Sequence, residues 1–258
     1  MMNTFAERHP YTFSGLMIVA VFAAYNIAGL LLQTHKLGLP AIIIANALLA
    51  FLVSWLMTRW GWWRRAGFSA PRHWKDALYF VILLIPVALN IIPSHIAGNP
   101  SDLLQLLLAA YGNPAQLSQL VVATLLVGFV EEGIFRGLML QAILPRGVWK
   151  AVIVTTLLFG LSHSANLFNG QSATVTAIQI SGALAFGFVA AALVVTKGLV
   201  WPIVIAHFLT DFTGLPNPTG AGSISGMPLE IGMIILFLAF GFYLLSSLRN
   251  LPTLPLSK

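Results

Sequence analysis

The chain has 258 residues, 58% of them hydrophobic and only 8% charged, with a formal net charge of +6 and no cysteine. A soluble domain carries roughly 25% charged residues, so this composition excludes most soluble enzymes and any intrinsically disordered chain. Without cysteine there is no disulfide scaffold, no thiolate zinc site and no cysteine nucleophile. What remains is a polytopic membrane protein built as one integral domain over 1–258.

Hydrophobic runs of about 20 residues, enough to cross a hydrocarbon core of about 30 Å, recur along the chain. In order they predict helices over 12–33, 39–60, 77–95, 117–144, 149–165, 173–196, 198–214 and 228–248. The expected fold is all-α, a transmembrane bundle of about eight helices. The fifth and seventh runs are short and polar at their ends, which leaves seven as the alternative. The first run lacks a small-residue cleavage site and reads as a retained span. Residues 101–111 read as a short interfacial helix, with Asp102 in the first turn and Gly112 just past the end. The Pro/Gly-rich stretch 214–228 reads as a plain connector, with a lid as the alternative.

Position sorts the basic residues. Arg8, then Arg59, Arg64, Arg65, Arg72 and Lys75, then Arg146 and Lys150, then Lys197, and last Arg249 and Lys258 fall on one side of an eight-span bundle. The other side keeps only Lys36. By the positive-inside rule this places both termini in the cytosol, and the pattern suits a prokaryotic plasma membrane. Trp60, Trp62, Trp63, Trp74, Trp149 and Trp201 mark span ends, where indole rings prefer the headgroup level. The excess of base is thus a topology signal. It implies the lipid bilayer, not nucleic acid, as a partner.

The acids are fewer and more telling. Of seven, Glu131, Glu132 and Asp211 fall inside predicted spans, as do Arg136, His163 and His207. A charged residue at a helix centre costs about 2.5–3.5 kcal/mol on the translocon scale. Such residues face the bundle interior, pair with one another and mark function. Glu132 and Arg136, four apart, share a helix face and suit a neutralising pair. Glu131 points about 100° away, towards another partner. His207 and Asp211 stand one turn apart, and His163 closes the fifth span beside Asn166 and Asn169. Taken singly, each has a bland reading: a buried packing lock, a ring satisfied by an aspartate, an interfacial histidine.

Together they form an ordered set. Glu-Glu-x-x-x-Arg at 131–136, Phe-x-x-x-His at 159–163 and His-x-x-x-Asp at 207–211 each occupy their own span. This pattern resembles the CAAX protease and bacteriocin-processing (CPBP, or Abi) family of intramembrane proteases, over a core of about 115–215. The resemblance implies an endopeptidase acting on membrane-associated or C-terminal CAAX-like protein or peptide substrates. It implies that Glu131 and His163 activate a water, and that His207 and Asp211 stabilise the oxyanion or hold that water. Glu132, Arg136 and Phe159 are expected to support them. An ionised Asp211 suits orienting His207 better than donating to an oxyanion, because a carboxylate has no proton to give. Two imidazoles and a carboxylate (Glu131, His163, His207) also match the ligands of a catalytic zinc. A metal-free mechanism is the slightly favoured expectation, because Glu132, the nearby spare base, is expected to be tied to Arg136. The site is expected to be reached from the bilayer or from the cytosolic side.

Rival readings come from other classes. Gly160-Leu161-Ser162 before His163 weakly resembles a rhomboid-like serine site, but that pairing leaves Glu131 and Asp211 idle. The His-Glu-x-x-His zinc motif and a Gly-x-Gly-Asp aspartyl pattern are both absent. A proton-coupled transporter uses the same residue types but shows paired halves or broken helices, and no internal repeat is found. A catalytically silent scaffold or immunity-type protein is the remaining alternative, and it has no need of the complete charged set.

Overall fold

The computed structural model describes residues 4–32, 38–70, 74–96, 113–168, 170–214 and 227–248. The helices in chain order are α1 (Phe5–Arg8), α2 (Pro10–Leu31), α3 (Leu39–Trp60), α4 (Trp74–Leu78), α5 (Ile85–Ile96), α6 (Pro114–Glu132), α7 (Leu140–Ile143), α8 (Val148–Ser162), α9 (Ala173–Lys197), α10 (Trp201–Gly214) and α11 (Met227–Ser247). A 3-10 segment, Tyr79–Leu84, joins α4 to α5, and a π-helical segment, Gly133–Met139, joins α6 to α7. Among the described residues there is no strand. The expected interfacial helix at 101–111, and the connector from 215 to 226, lie outside the described residues.

Local chemistry sets the helix ends. Asn113 caps α6 by accepting from the Gln116 N–H, with Pro114 in the first turn. Ser172 caps α9 in the same way through the Val175 N–H. At its far end α9 stops on Gly198, whose φ of 69° is left-handed backbone that favours glycine. That stop separates α9 from α10.

Among the described residues seven helical stretches are long and apolar enough to cross a membrane, so the chain is an integral multi-pass membrane protein. Their outer faces carry Leu30, Phe51, Ile235 and Phe242, all exposed, as lipid contact requires. The expected span at 198–214 is the exception. Its helix, α10, has 14 residues and reaches only about 21 Å at 1.5 Å per residue. Gly198 ends the preceding helix and α10 starts only at Trp201, so the hydropathic run begins before the helix it forms.

The chain still returns across the bundle here. Gly182 faces Met233, Phe186 meets Phe237 with ring centroids 6.4 Å apart, and Phe188 meets Phe242 at 4.9 Å. Both numbers of each pair rise together, so α9 and α11 run parallel. The segment between them, short helix included, therefore leads from one end of the bundle to the other.

One rim gathers the basic connections. Arg146 donates to the Glu7 carbonyl at 2.8 Å and to the Arg8 carbonyl at 2.9 Å. Arg65 donates to the Glu7 carboxylate, and to the Gln141 carbonyl at 3.0 Å. Lys197 pairs with Asp76 at 3.4 Å, and the Val200 N–H donates to the Gly67 carbonyl at 3.0 Å. The N-terminal segment and the second, fourth and sixth connections thus meet at one end. Beneath that rim, Leu138, Met139, Ile143 and Val189 to Leu193 are fully buried and form a solid layer.

Burial alone would raise the Glu7 carboxyl, but its bonds from Arg65 and Thr4 outweigh this and hold it below the usual 4.5. A lowered folded value gives stability that is present above the unfolded value and lost as pH falls through the folded one. Glu7→Gln should therefore cost up to about 1 kcal/mol at neutral pH, the scale of a partly exposed pair. In detergent melts the gap from the parent should shrink below pH 4.5 and close once the folded carboxyl is protonated.

Candidate active site

Three elements bring the motif residues together. Close approach of α6 to α10 comes first. A Cβ on Gly128 would meet the Val204 carbonyl oxygen at 3.0 Å and the Phe208 nitrogen at 3.2 Å, both rigid backbone. Only a glycine allows the two helices this separation. The approach brings Glu132 on α6 against His207 on α10. Gly133 and Gly137 face Val53 and Met57 instead, so they serve the contact with α3.

Glu132 is fully buried and its Oε1 accepts twice. Arg136 Nη1 donates at 3.1 Å, and His207 Nδ1–H donates at 2.8 Å. The Arg136 guanidinium, itself 1% exposed, stands 4.2 Å over the Phe159 ring and 5.9 Å from that of Phe186. The pair expected between Glu132 and Arg136 is present. Its reach to His207 is new: Glu132, not Asp211, takes the Nδ1 proton.

His207 Nε2 then faces Asp211 Oδ2 at 3.6 Å and Glu131 Oε2 at 3.8 Å. These separations exceed a hydrogen bond, and Glu131 Oε2 has no hydrogen-bond partner in the protein. Both carboxylates remain partly accessible, at 27% and 32% of their side-chain surface, whereas His207 is nearly enclosed. His163 begins the 3-10 turn His163–Leu167, and its Nδ1–H donates to the Phe159 carbonyl at 2.9 Å. With Nδ1 so occupied, Nε2 is the nitrogen left to accept or donate. Phe159 links the set: its ring meets His163 edge-on at 5.1 Å and His207 at 6.0 Å.

Glu131, Phe159, His163, His207 and Asp211 all line one cavity of about 1850 Å³. Glu132 and Arg136 lie behind its wall. Apart from Asn166, noted beside His163, sequence reasoning missed the other lining amides and their partners. Asn46 donates to the Tyr25 hydroxyl at 3.0 Å, and Asn166 and Gln171 donate to Gln179 Oε1 at 2.8 and 3.1 Å. Asn90 reaches the Thr210 carbonyl and the Thr213 hydroxyl, both at 3.2 Å. Neutral amides inside apolar spans were a usable signal, since burying one without a partner is unfavourable. Phe186, 5.5 Å from His207, carried no such signal.

The zinc expectation meets a different geometry. Among the described residues no three His, Asp or Glu side chains are grouped as a metal ion needs, and Glu131, His163 and His207 do not form such a set.

Residues 113–213 match the family model described as type II CAAX prenyl endopeptidase Rce1-like. The matched segment runs from the cap of α6 to the last turn of α10 and carries every motif residue. No curated protein and no solved structure matches the chain.

The buried triad makes a stability prediction. Arg136→Met leaves the Glu132 charge without its guanidinium and should cost about 3–5 kcal/mol, the penalty for an uncompensated buried charge. Adding Glu132→Gln should recover much of that in a thermal melt, because two neutral groups then replace the pair. Recovery of nothing would show that the charges act independently.

Proposed function

Because residues 113–213 are a domain of the type II CAAX prenyl endopeptidase Rce1-like family, we propose that the chain is an intramembrane endopeptidase working through a water activated by Glu131 and His163. The observation that carries this reading is the partnerless Glu131 Oε2 in the shared cavity, 3.8 Å from His207 Nε2. A carboxylate oxygen with no protein donor is free to accept a proton from water.

The steps follow from the donors. Glu131 accepts the proton of a water whose other contact is His163 Nε2, and the resulting hydroxide adds to the carbonyl carbon of the scissile peptide. The carbonyl oxygen takes up negative charge. His207, with its Nδ1–H given to Glu132, donates Nε2–H to that oxygen; with Glu131 now protonated, the carboxylates of Glu132 and Asp211 balance a ring protonated on both nitrogens. The tetrahedral adduct collapses as the C–N bond breaks, and the proton held by Glu131 passes to the departing amine. Asp211 keeps the His207 face polar and anchors the attacking water. Arg136, through Glu132, fixes the imidazole. Phe159 and Phe186 pack around the rings and exclude solvent from one side.

The substrate is a polypeptide at the membrane, cut where its backbone is out of regular helix, because carbonyls inside an intact transmembrane helix are already hydrogen-bonded. The cavity needs no prenyl group for this chemistry. A prenylated segment and an unprenylated one are substrates of the same kind for these residues.

Purified protein should cleave a peptide substrate, and Glu131→Gln should lower the rate by about 10²–10⁴, the usual worth of a general base. Ser162→Ala should leave the rate unchanged. The Ser162 hydroxyl donates to the Phe159 carbonyl at 2.7 Å and is not poised as a nucleophile. Activity should also survive exhaustive chelation. Stoichiometric zinc whose removal abolishes cleavage would overturn the metal-free steps.

A further inference from the structure

The cavity and the basic rim lie at opposite ends of the molecule. Cavity-lining residues come from 18–30, 39–49, 86–90, 123–135, 159–168, 175–186, 207–214 and 230–237, the stretch 123–135 being the middle of the span that carries Glu131. In α3 these belong to the half that begins at Leu39, and in α11 to the half that begins at Met227; α8 contributes only its last turns. Each of these is the half remote from the rim where Arg65, Arg146 and Lys197 are tied down. Among the described residues no lysine or arginine lines the cavity. On the rim side the cavity floor is closed by the Glu132–Arg136–His207 cluster and the buried layer from Leu138 to Ile143.

Eleven of the thirteen lysines and arginines belong, by sequence, to the rim end; Arg136 is buried and Lys36 belongs to the opposite end. Such an excess on short connections holds that end in the cytosol. We infer that the active-site cavity opens on the extracytoplasmic face of the membrane. Its substrate is then an extracytoplasmic or outer-leaflet segment of a membrane-anchored or exported polypeptide, not the C terminus of a cytosolic protein. The expectation that the site is reached from the cytosol is thereby replaced; access from the bilayer remains compatible with the open cavity.

The mouth has the chemistry for such a chain. Asn26, Asn166, Gln171 and Gln179 line it with neutral amides, which offer the donors and acceptors that an extended peptide backbone needs. His207 is the seventh residue of α10, which begins at the rim, so the reacting groups lie about 10–15 Å from the cytosolic end by helix rise. A substrate from the other face must insert to roughly mid-membrane. That favours an unfolded or frayed segment. The substrate part of this inference rests on the peptidase reading above, whereas the orientation does not.

The chain has no cysteine, so single cysteines report orientation without background. Thr174→Cys and Ala173→Cys place a thiol on exposed positions beside the mouth, and Ala70→Cys and Ser69→Cys place one on the rim without removing a charge. Spheroplasts expressing each full-length variant are treated with a membrane-impermeant maleimide, before or after permeabilisation. The mouth thiols should be labelled as fully in intact as in permeabilised spheroplasts, and the rim thiols several-fold more after permeabilisation. Mouth thiols labelled only after permeabilisation, or rim thiols labelled fully from outside, would overturn the orientation. Dye-quenched casein, which does not cross a bilayer, tests the substrate side. Spheroplasts should cut it and inverted vesicles should not, with Glu131→Gln as the inactive control. Cutting confined to inverted vesicles would overturn the inference. With the thiol pattern as expected, casein left whole in both would count against the peptidase reading and not against the orientation.

Discussion

One carboxylate oxygen, Oε1 of Glu132, accepts from both the Arg136 guanidinium and the His207 imidazole, and all three groups are buried. An isolated carboxylate at this depth is strongly unfavourable, and so is an isolated guanidinium. Each is tolerated because of the other, and the imidazole shares in that neutralisation. The arrangement therefore does two things through one atom. It holds α6 against α10, and it fixes which ring nitrogen of His207 faces the cavity. Loss of Arg136 would disturb packing and ring orientation together, so a helix-packing role and a catalytic supporting role are one interaction here.

The backbone around this cluster departs from α-geometry in a way that serves it. Directly after Glu132 the chain enters the π-helical stretch Gly133–Met139. A π-helical turn widens the helix and re-aims the side chains that follow. Arg136 lies in that stretch, bonded to Glu132 on one side and covered by Phe159 on the other. Gly187 on α9 completes the cover: a Cβ there would meet Phe159 at 3.1 Å and Arg136 Nη2 at 3.4 Å. Small residues on α9 thus let the aromatic and the guanidinium be sandwiched between helices.

What was legible in the sequence follows from the cost of burial. Glu131, Glu132, Arg136 and Asp211 announced themselves because charge in an apolar span is too unfavourable to be incidental. Helix existence was equally plain from hydropathy. The double duty of Glu132 was not legible, because His207 lies 75 positions away and only the close approach at Gly128 joins them. Tyr25 and Asn46, contributed by α2 and α3, were missed for a similar reason: neither is charged, and their pairing exists only once those helices pack. The length of α10 was overestimated because hydropathy continues smoothly across Gly198, while backbone geometry does not.

Irregular backbone at membrane depth needs partners for its freed polar groups, and it survives only where protein or a cavity supplies them. One such place borders the cavity: α8 gives way to the 3-10 turn His163–Leu167. Side chains meet the demand there, because the Ser162 hydroxyl and His163 Nδ1–H both donate to the Phe159 carbonyl. Asn90 does the same between helices, donating to the Thr210 carbonyl of α10. Asn166, in the turn itself, donates to Gln179 Oε1, so both amides on the cavity wall are partnered. The bond that makes the end of α8 sustainable is therefore also the one that occupies Nδ1 of His163 and leaves Nε2 as its free nitrogen.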